Sequence, residues 1–128
     1  MTAGEVVESF IRHLNAMELE AAWALLAPDI VYHNIPMQPV TGREAVRAVF
    51  AQIPMTAIEW IVHHQAERDH VVLNERTDRF RLADGRWVAL RVMGTFEVAD
   101  GRIAHWRDYF DLNQWLAQIS PAEAPAAS

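Results

Sequence analysis

The sequence predicts an α+β fold in which N-terminal helices cover one face of a curved, mainly antiparallel β-sheet. Helical periodicity is confined to the N-terminal part and a short C-terminal segment, whereas β-type alternation runs from about Ala57 to Asp111. The segment Ala-Asp-Gly-Arg occurs at 83–86 and again at 99–102, and each copy joins two β-patterned runs as a hairpin turn would. Gly94 lies in mid-strand, at a point where such a sheet could bend.

Capping signals predict where two of the helices begin. Thr2 and Glu5 have the spacing of a capping box and open a first helix that ends near Asn15. Thr41 and Glu44 repeat this spacing ahead of an apolar stripe, so they predict the start of a later helix.

A shorter helix and a strand are predicted between these two helices. The helix ends near Pro28 and is supported by the apolar residues Leu19, Trp23 and Leu26. The strand runs over 29–35, and its alternation puts Tyr32 and Asn34 on one face together with Ile30.

Length and composition predict one soluble domain over residues 1–120, followed by a disordered tail over 121–128. Asp111 has the spacing of a cap for a last helix that runs to Ile119. The net charge of −6 argues against a nucleic-acid partner, and the absence of cysteine excludes disulfides and thiolate chemistry. With neither a signal peptide nor an apolar run of membrane-spanning length, we expect a cytoplasmic protein without a membrane partner.

Polar residues interrupt the covered face of the central β-run. Alternation places Asn74, Arg76 and Asp78 on the same face as the apolar residues Val72, Phe80 and Leu82. Burying charged groups costs free energy unless they are paired, so this arrangement suggests a functional site. An Arg-x-Asp pair alone is more often a surface or cross-strand ion pair, and this interpretation stays open.

The register across the two hairpins decides which residues meet. With three-residue turns, Arg76 lies opposite Val92 and Val92 lies opposite Asp108; with two-residue turns, Met93 takes the place of Val92. If both turns are of the same type, Arg76 and Asp108 align across three strands in either case. We favour three-residue turns, because the alternative register places Arg91 on the covered face.

A carboxylate–guanidinium–carboxylate array formed by Asp78, Arg76 and Asp108 is suited to acid/base chemistry. One guanidinium can hold two carboxylates in a fixed geometry, and two carboxylates in different surroundings can differ in protonation state. Tyr32 and Asn34 would add a hydroxyl and an amide that can hold a water molecule. Such a set is suited to adding water to a neutral, apolar electrophile.

At these positions the sequence resembles the limonene epoxide hydrolase family. The resemblance rests on Tyr-His-Asn-Ile-Pro at 32–36, Glu-Arg-Thr-Asp at 75–78 and Gly-Arg-Ile-Ala-His-Trp-Arg-Asp-Tyr-Phe-Asp at 101–111. It implies the cone-shaped α+β barrel, a SnoaL-like or cystatin-like fold with a mixed sheet, that ketosteroid isomerase, SnoaL-like polyketide cyclases and nuclear transport factor two share. It also implies epoxide hydrolysis to a vicinal diol in one step, with no metal, no organic cofactor and a homodimeric assembly.

The resemblance further implies a role for each site residue. Asp78 is expected to protonate the epoxide oxygen, Asp108 to deprotonate water, and Arg76 to bridge them, while Tyr32 and Asn34 help to hold the water. The expected partners are therefore a small apolar epoxide, terpene-like and cyclic, and water. The residues expected to line the substrate pocket are Asn74, Phe80, Leu90, Val92 and Phe110, with the contribution of residues 51–68 (Ile53, Met55 or Ile58) left open.

Two other functions are compatible with the sequence. An isomerase or cyclase of the same fold would abstract a proton next to a carbonyl, although a bridging arginine would keep its acid ionised. A non-catalytic small-molecule-binding module would need neither carboxylate. His63 and His64 are adjacent, but neighbours on a strand point to opposite faces, so they do not predict a metal site.

Overall fold

The computed structural model describes residues 1–119, so the predicted tail over 121–128 lies outside the described residues. Its elements follow one another as two helices, two strands, a third helix, four strands and a last helix. They are α1 (Ala3–Asn15), α2 (Leu19–Ala24), β1 (Leu26–Asn34), β2 (Val40–Thr41), α3 (Arg43–Ala51), β3 (Met55–Arg68), β4 (Val71–Leu82), β5 (Trp87–Ala99), β6 (Arg102–Tyr109) and α4 (Leu112–Ile119).

The helix starts confirm one capping box and contradict the other. At α1 the Thr2 hydroxyl accepts from the Glu5 N–H while the Glu5 carboxylate accepts from the Thr2 N–H. At α3 the N-cap is Gly42, which has no side chain to accept a hydrogen bond from the first turn. Thr41 pairs instead with Val31 in the sheet. The recruitment of Thr41 into β2 explains why the second capping box does not form.

Leu26 corrects a second boundary. The sequence placed it in the second helix, but α2 ends at Ala24, and Leu26 begins β1 by pairing with Ile103. Leu26 is fully buried in this position, so the strand removes its apolar side chain from water, as burial in a helix would.

The six strands form one mixed sheet in the order β2-β1-β6-β5-β4-β3, in which only β1 and β6 are parallel. The predicted α+β class with a mainly antiparallel sheet is confirmed. The helix α1 packs on the inner face, where Phe10 contacts Trp106 edge-to-face at 5.1 Å between ring centroids. The Asn15 side chain anchors the end of this helix to the Trp60 backbone at 3.0 Å and 2.7 Å.

The two hairpins have different turns. The β4–β5 turn has three residues with Gly85 at φ 91°, and it aligns Arg76 with Val92 as predicted. The β5–β6 turn has two residues, Asp100 and Gly101, both with positive φ. The predicted pairing of Val92 with Asp108 is therefore wrong, and Asp108 lies opposite Gly94.

A β-bulge explains why Asp108 still reaches the inner face. The shorter turn alone moves the register by one residue, which would turn Arg107 inward in place of Asp108. Ala104 is passed over between the pairs Val98–Ile103 and Glu97–His105, which moves the register by a second residue. The two shifts together displace Asp108 by two residues along β5 and keep it on the inner face, where it is buried.

Candidate active site

Arg76 and Asp78 form a bidentate ion pair inside the sheet. Arg76 Nε lies 2.9 Å from Asp78 Oδ1, and Nη2 lies 3.0 Å from Asp78 Oδ2. Arg76 and Asp78 are 1% and 3% exposed, so this is not the surface ion pair that the Arg-x-Asp pattern alone suggested. The parallel geometry fixes the plane of both groups.

The same guanidinium also binds Asp108, which is two strands away. Nη2 lies 3.0 Å from Asp108 Oδ2, so Arg76 bridges the two carboxylates. Gly94 of β5 lies between them, and a Cβ there would come within 2.2 Å of Arg76 Nη1 and 2.9 Å of Asp108 Oδ1. The bridge therefore exists because the intervening strand has no side chain at this point.

Two aromatic rings pack against the guanidinium of Arg76. The Arg76 guanidinium carbon lies 4.7 Å from the centroid of the Trp60 ring and 5.6 Å from that of Phe96. These contacts are within cation–π range and exclude water from the guanidinium. Arg76 stays protonated, because the two neighbouring carboxylates outweigh the effect of burial and raise its pKa.

Burial sets the protonation of the two aspartates. It raises the pKa of Asp78 to about 6, although Arg76 opposes the shift and the charge of Asp108 adds to it. Burial also raises the pKa of Asp108, again against the effect of Arg76. One cation cannot fully compensate two buried anions, so the pair retains a proton to higher pH than two free aspartates would.

The two oxygens of Asp108 have different surroundings. Oδ2 is bound by Arg76, whereas Oδ1 is buried and completes no hydrogen bond within residues 1–119. The indole N–H of Trp106, which is likewise buried without a completed hydrogen bond, is the side-chain donor nearby and opposes the rise in the pKa of Asp108 that burial causes. Asp108 also lines a cavity. A buried acceptor beside a cavity is a natural binding point for a donor such as water.

Tyr32 and Asn34 lie on β1 beside this carboxylate. The parallel register pairs Tyr32 with Trp106 and Asn34 with Asp108, and the Tyr32 and Trp106 rings stack at 4.0 Å between centroids. Burial and then the charge of Asp108 raise the pKa of Tyr32, so its hydroxyl remains a donor at neutral pH. Asn34 lines the cavity, while Tyr32 lies behind its wall.

The cavity next to the carboxylates has a volume of about 300 Å³. Of the residues expected in its wall, Phe80, Leu90, Val92 and Phe110 line it. Asn74 does not: it lies beside Arg76, whose Nη1 donates to Asn74 Oδ1 at 2.8 Å. Ile53 also lines the cavity, whereas Met55 and Ile58 do not.

The helices supply a part of the cavity wall that the sequence did not predict. The end of α3, the loop after β1 and the helix α4 contribute Met37, Val49, Gln52, Leu112, Trp115, Leu116 and Ile119. The four residues of α4 have the spacing of one helical face, a signal that indicates a covered surface. The Asp111 carboxylate accepts from the Asn113 N–H at 2.9 Å and acts as the predicted cap of this helix.

The histidines take no part in this site. His63 lies on the outer face and contacts the Thr77 hydroxyl at 2.8 Å. Within residues 1–119 no group of three or more His, Asp or Glu is placed to hold a metal ion. None of the helices in the same range has the length and apolar character to span a bilayer.

The fold and the site together define a class of protein. A six-stranded mixed sheet of this topology is the nuclear transport factor two-like fold, as similarity to an NTF2-like protein of unknown function from Burkholderia pseudomallei shows. That structure covers 93% of this chain and 98% of its own, with a TM-score of 0.82 and 19% identity. In this chain, two carboxylates bridged by an arginine lie at the cavity, an arrangement that is suited to acid/base chemistry.

Residues 1–120 match the family described as the limonene-1,2-epoxide hydrolase catalytic domain. The chain belongs to this family and is an epoxide hydrolase. It is 34% identical over 107 residues to epoxide hydrolase EphG of Mycobacterium tuberculosis, covering 83% of this chain and 71% of the relative. The structure of a limonene-epoxide-hydrolase-like epoxide hydrolase from M. tuberculosis is similar with a TM-score of 0.79 at 30% identity, covering 91% of this chain and 88% of that one.

Proposed function

We propose that this protein adds water to a small, apolar, cyclic epoxide of terpene-like type and yields a vicinal diol in one acid/base step. The observation that carries the proposal is the buried Asp78–Arg76–Asp108 array, which ends in an unpartnered carboxylate oxygen at the cavity. The reaction uses no metal and no organic cofactor, since the two carboxylates supply both proton transfers.

Asp108 is the proposed base. Its Oδ1 accepts a proton from water while the water oxygen attacks one epoxide carbon and the carbon–oxygen bond of the ring breaks. Asn34 and Tyr32 are the proposed groups that orient the water. Asn34 lies beside Asp108 in the register and lines the cavity, and the neutral hydroxyl of Tyr32 interacts with Asn34 and lies near the Asp108 charge. Arg76 holds Oδ2 at 3.0 Å and fixes the direction in which Oδ1 points.

Asp78 is the proposed acid. Its raised pKa of about 6 leaves a useful fraction protonated near neutral pH, and it lines the same cavity as Asp108. It donates its proton to the oxygen that leaves the carbon, so the diol forms without a free alkoxide. Asp78 ends ionised and Asp108 protonated, and the cycle closes when Asp108 releases its proton and Asp78 takes one up.

The cavity supports a small apolar substrate. Its volume is about 300 Å³ and its wall is mainly aliphatic and aromatic, with the acid and base at one side. A ring that carries an apolar substituent would fill such a space. The proposed enzyme is a homodimer in the cytoplasm and has no nucleic-acid or membrane partner.

Substitution of the array tests this function. Asp78→Asn, Asp108→Asn and Arg76→Ala should each abolish diol formation from limonene oxide and cyclohexene oxide while circular dichroism stays native. Tyr32→Phe should lower the rate less, by about tenfold, because one of several groups that hold the water is lost.

Asp111→Asn is the matched control, since asparagine caps a helix as well as aspartate does. It should retain wild-type activity. Full activity in any of the three array variants would remove that residue from the mechanism. Enone isomerisation without diol formation would replace the hydrolase with the isomerase, and ligand binding without turnover in the wild type would replace it with a binding module.

A further inference from the structure

Asn74 is a buried polar residue for which the proposed reaction gives no role. It is 1% exposed and lies outside the cavity wall, yet its Oδ1 accepts from Arg76 Nη1 at 2.8 Å. Burying an amide at this position requires partners for both of its ends. The position of Asn74 relative to the strands explains what this contact does.

Arg76 and Asp108 do not lie in the same cross-strand row. Arg76 is opposite Val92, whereas Asp108 is opposite Gly94, and Gly94 is opposite Asn74. The Arg76 side chain must therefore lean along β4, from its own row into the row of Asn74, before Nη2 can reach Asp108. The 2.2 Å between Nη1 and a Cβ at Gly94 shows that the guanidinium lies directly over this glycine.

Asn74 is itself held in a defined orientation. Its Nδ2 donates to Gln65 Oε1 at 3.2 Å, and Gln65 is its direct partner on β3. Because the amide nitrogen is engaged there, the amide oxygen must point at Arg76. An aspartate here would add a third carboxylate to the one cation, so the neutral amide accepts the hydrogen bond without further charge.

We propose that Asn74 is a positioning residue that keeps the Arg76 guanidinium over Gly94, so that Nη2 stays on Asp108 and the base stays ionised. This inference rests on the proposed role of Asp108 as the base. Without the acceptor at 74, the guanidinium keeps its bidentate pair with Asp78 but is no longer held over Gly94, and its bond to Asp108 weakens.

The charges around Asp108 give the direction of the effect. The titratable groups that face Asp108 within residues 1–119 are Arg76 and Asp78 from β4 and Tyr32 from β1. The strand β5 contributes no titratable group here, because its facing residue is Gly94. Arg76 is the cation among them, so weakening its contact raises the pKa of Asp108. A base must be ionised to act, so the acidic limb of the rate profile moves to higher pH.

The test is the pH dependence of diol formation in Asn74→Leu. We expect the acidic limb of the kcat profile to shift upward by roughly one pH unit, so that kcat at a given pH on this limb falls about tenfold. KM should be nearly unchanged, because Asn74 lies outside the cavity. Carboxyl ¹³C NMR should show the Asp108 signal titrating at higher pH, independently of turnover. Asn74→Thr, which keeps an oxygen acceptor on this face, should restore part of the shift.

Thr77→Val is the control on the outward face of the same strand, and its profile should match the wild type. Gln65→Leu frees the Asn74 amide to rotate and should shift the limb in the same direction by less, which keeps the test available if Asn74→Leu does not fold. Wild-type profiles in the folded Asn74 and Gln65 variants, with Asp108→Asn inactive, would refute this inference alone. Activity in Asp108→Asn would instead refute the proposed function.

Discussion

At the residue scale, Gly94 shows how one missing side chain makes the site possible. Asp78 and Asp108 are on strands separated by β5, and Arg76 reaches across β5 only where it has no Cβ. The sequence indicated Gly94 as a bend in the sheet. In the structure, Gly94 instead allows the Arg76 guanidinium to approach the backbone of β5 closely. The residue type alone does not reveal this role, because the role depends on the register that brings Arg76 to Gly94.

Gly94→Ala should therefore damage both stability and activity. The new methyl group would meet the Arg76 guanidinium, which is locked by Asp78, Asp108 and Asn74 and has no open space to enter. We expect a loss of about 1–3 kcal/mol in the free energy of unfolding and a fall in kcat of about a hundredfold. Urea denaturation and the diol assay measure the two effects.

Gly4→Ala is a matched control, because a Cβ there also meets a polar side-chain oxygen, Glu67 Oε1, at 2.7 Å. Glu67 is exposed and can rotate away, although this loses the hydrogen bond that its Oε1 accepts from the Gly4 N–H at 2.7 Å. Alanine favours the helix, so this variant should keep its activity and most of its stability. Equal behaviour of the two variants would contradict the role given to Gly94.

At the element scale, the register of β6 was only partly predictable. The composition of the two turns is the same, yet one has three residues and the other has two, and a bulge at Ala104 adds the remaining shift. The two turns have the same residues but fold differently, because the strands that they join differ in bulges and in neighbouring strands. The strand β6 must also pair with the parallel strand β1. Alternation near the site predicted that Asp108 lies on the inner face of the sheet, but it did not predict the residue opposite Asp108 on β5.

The helix α4 closes the cavity by binding a free strand edge. Beyond Met93, β5 extends past the end of β6, and the Ala89 N–H and C=O bind the Gln118 side chain at 2.8 Å and 2.7 Å. These bonds satisfy backbone groups that a neighbouring strand would otherwise pair. Trp115 on the same helix packs edge-to-face on Phe80 in the cavity wall, at 5.7 Å between centroids.

Gln118→Ala should loosen this helix. Loss of two hydrogen bonds, about 1 kcal/mol each, should lower amide-exchange protection over residues 112–119 by roughly tenfold or more and raise KM. Gln114→Ala, at an exposed position of the same helix, is the control and should change neither quantity. Unchanged exchange in Gln118→Ala would show that the strand edge does not hold α4.

At the scale of the whole molecule, the order and type of the elements were predictable apart from the short strand β2, and the shape of the cavity was not. Local periodicity and turn chemistry indicate helices and strands, and the alternation of Arg76 and Asp78 with apolar residues indicates a buried charged pair. The cavity depends on how α3 and α4 pack over the open end of the sheet, which is a tertiary arrangement without a local signal. Asn74 was therefore expected in the wall. The spacing of Leu112, Trp115 and Leu116 indicates a covered face of α4 but not that this face covers the cavity.

The central claim is that water attacks the epoxide directly, with Asp108 as the base and no covalent enzyme ester. The most direct measurement is a single turnover of limonene oxide in ¹⁸O-labelled water with enzyme in excess, followed by mass spectrometry of the diol. We expect the label in the first-turnover diol of the wild type and no diol from Asp108→Asn. An unlabelled first-turnover diol would mean that a protein carboxylate supplied the oxygen, and it would contradict the one-step mechanism.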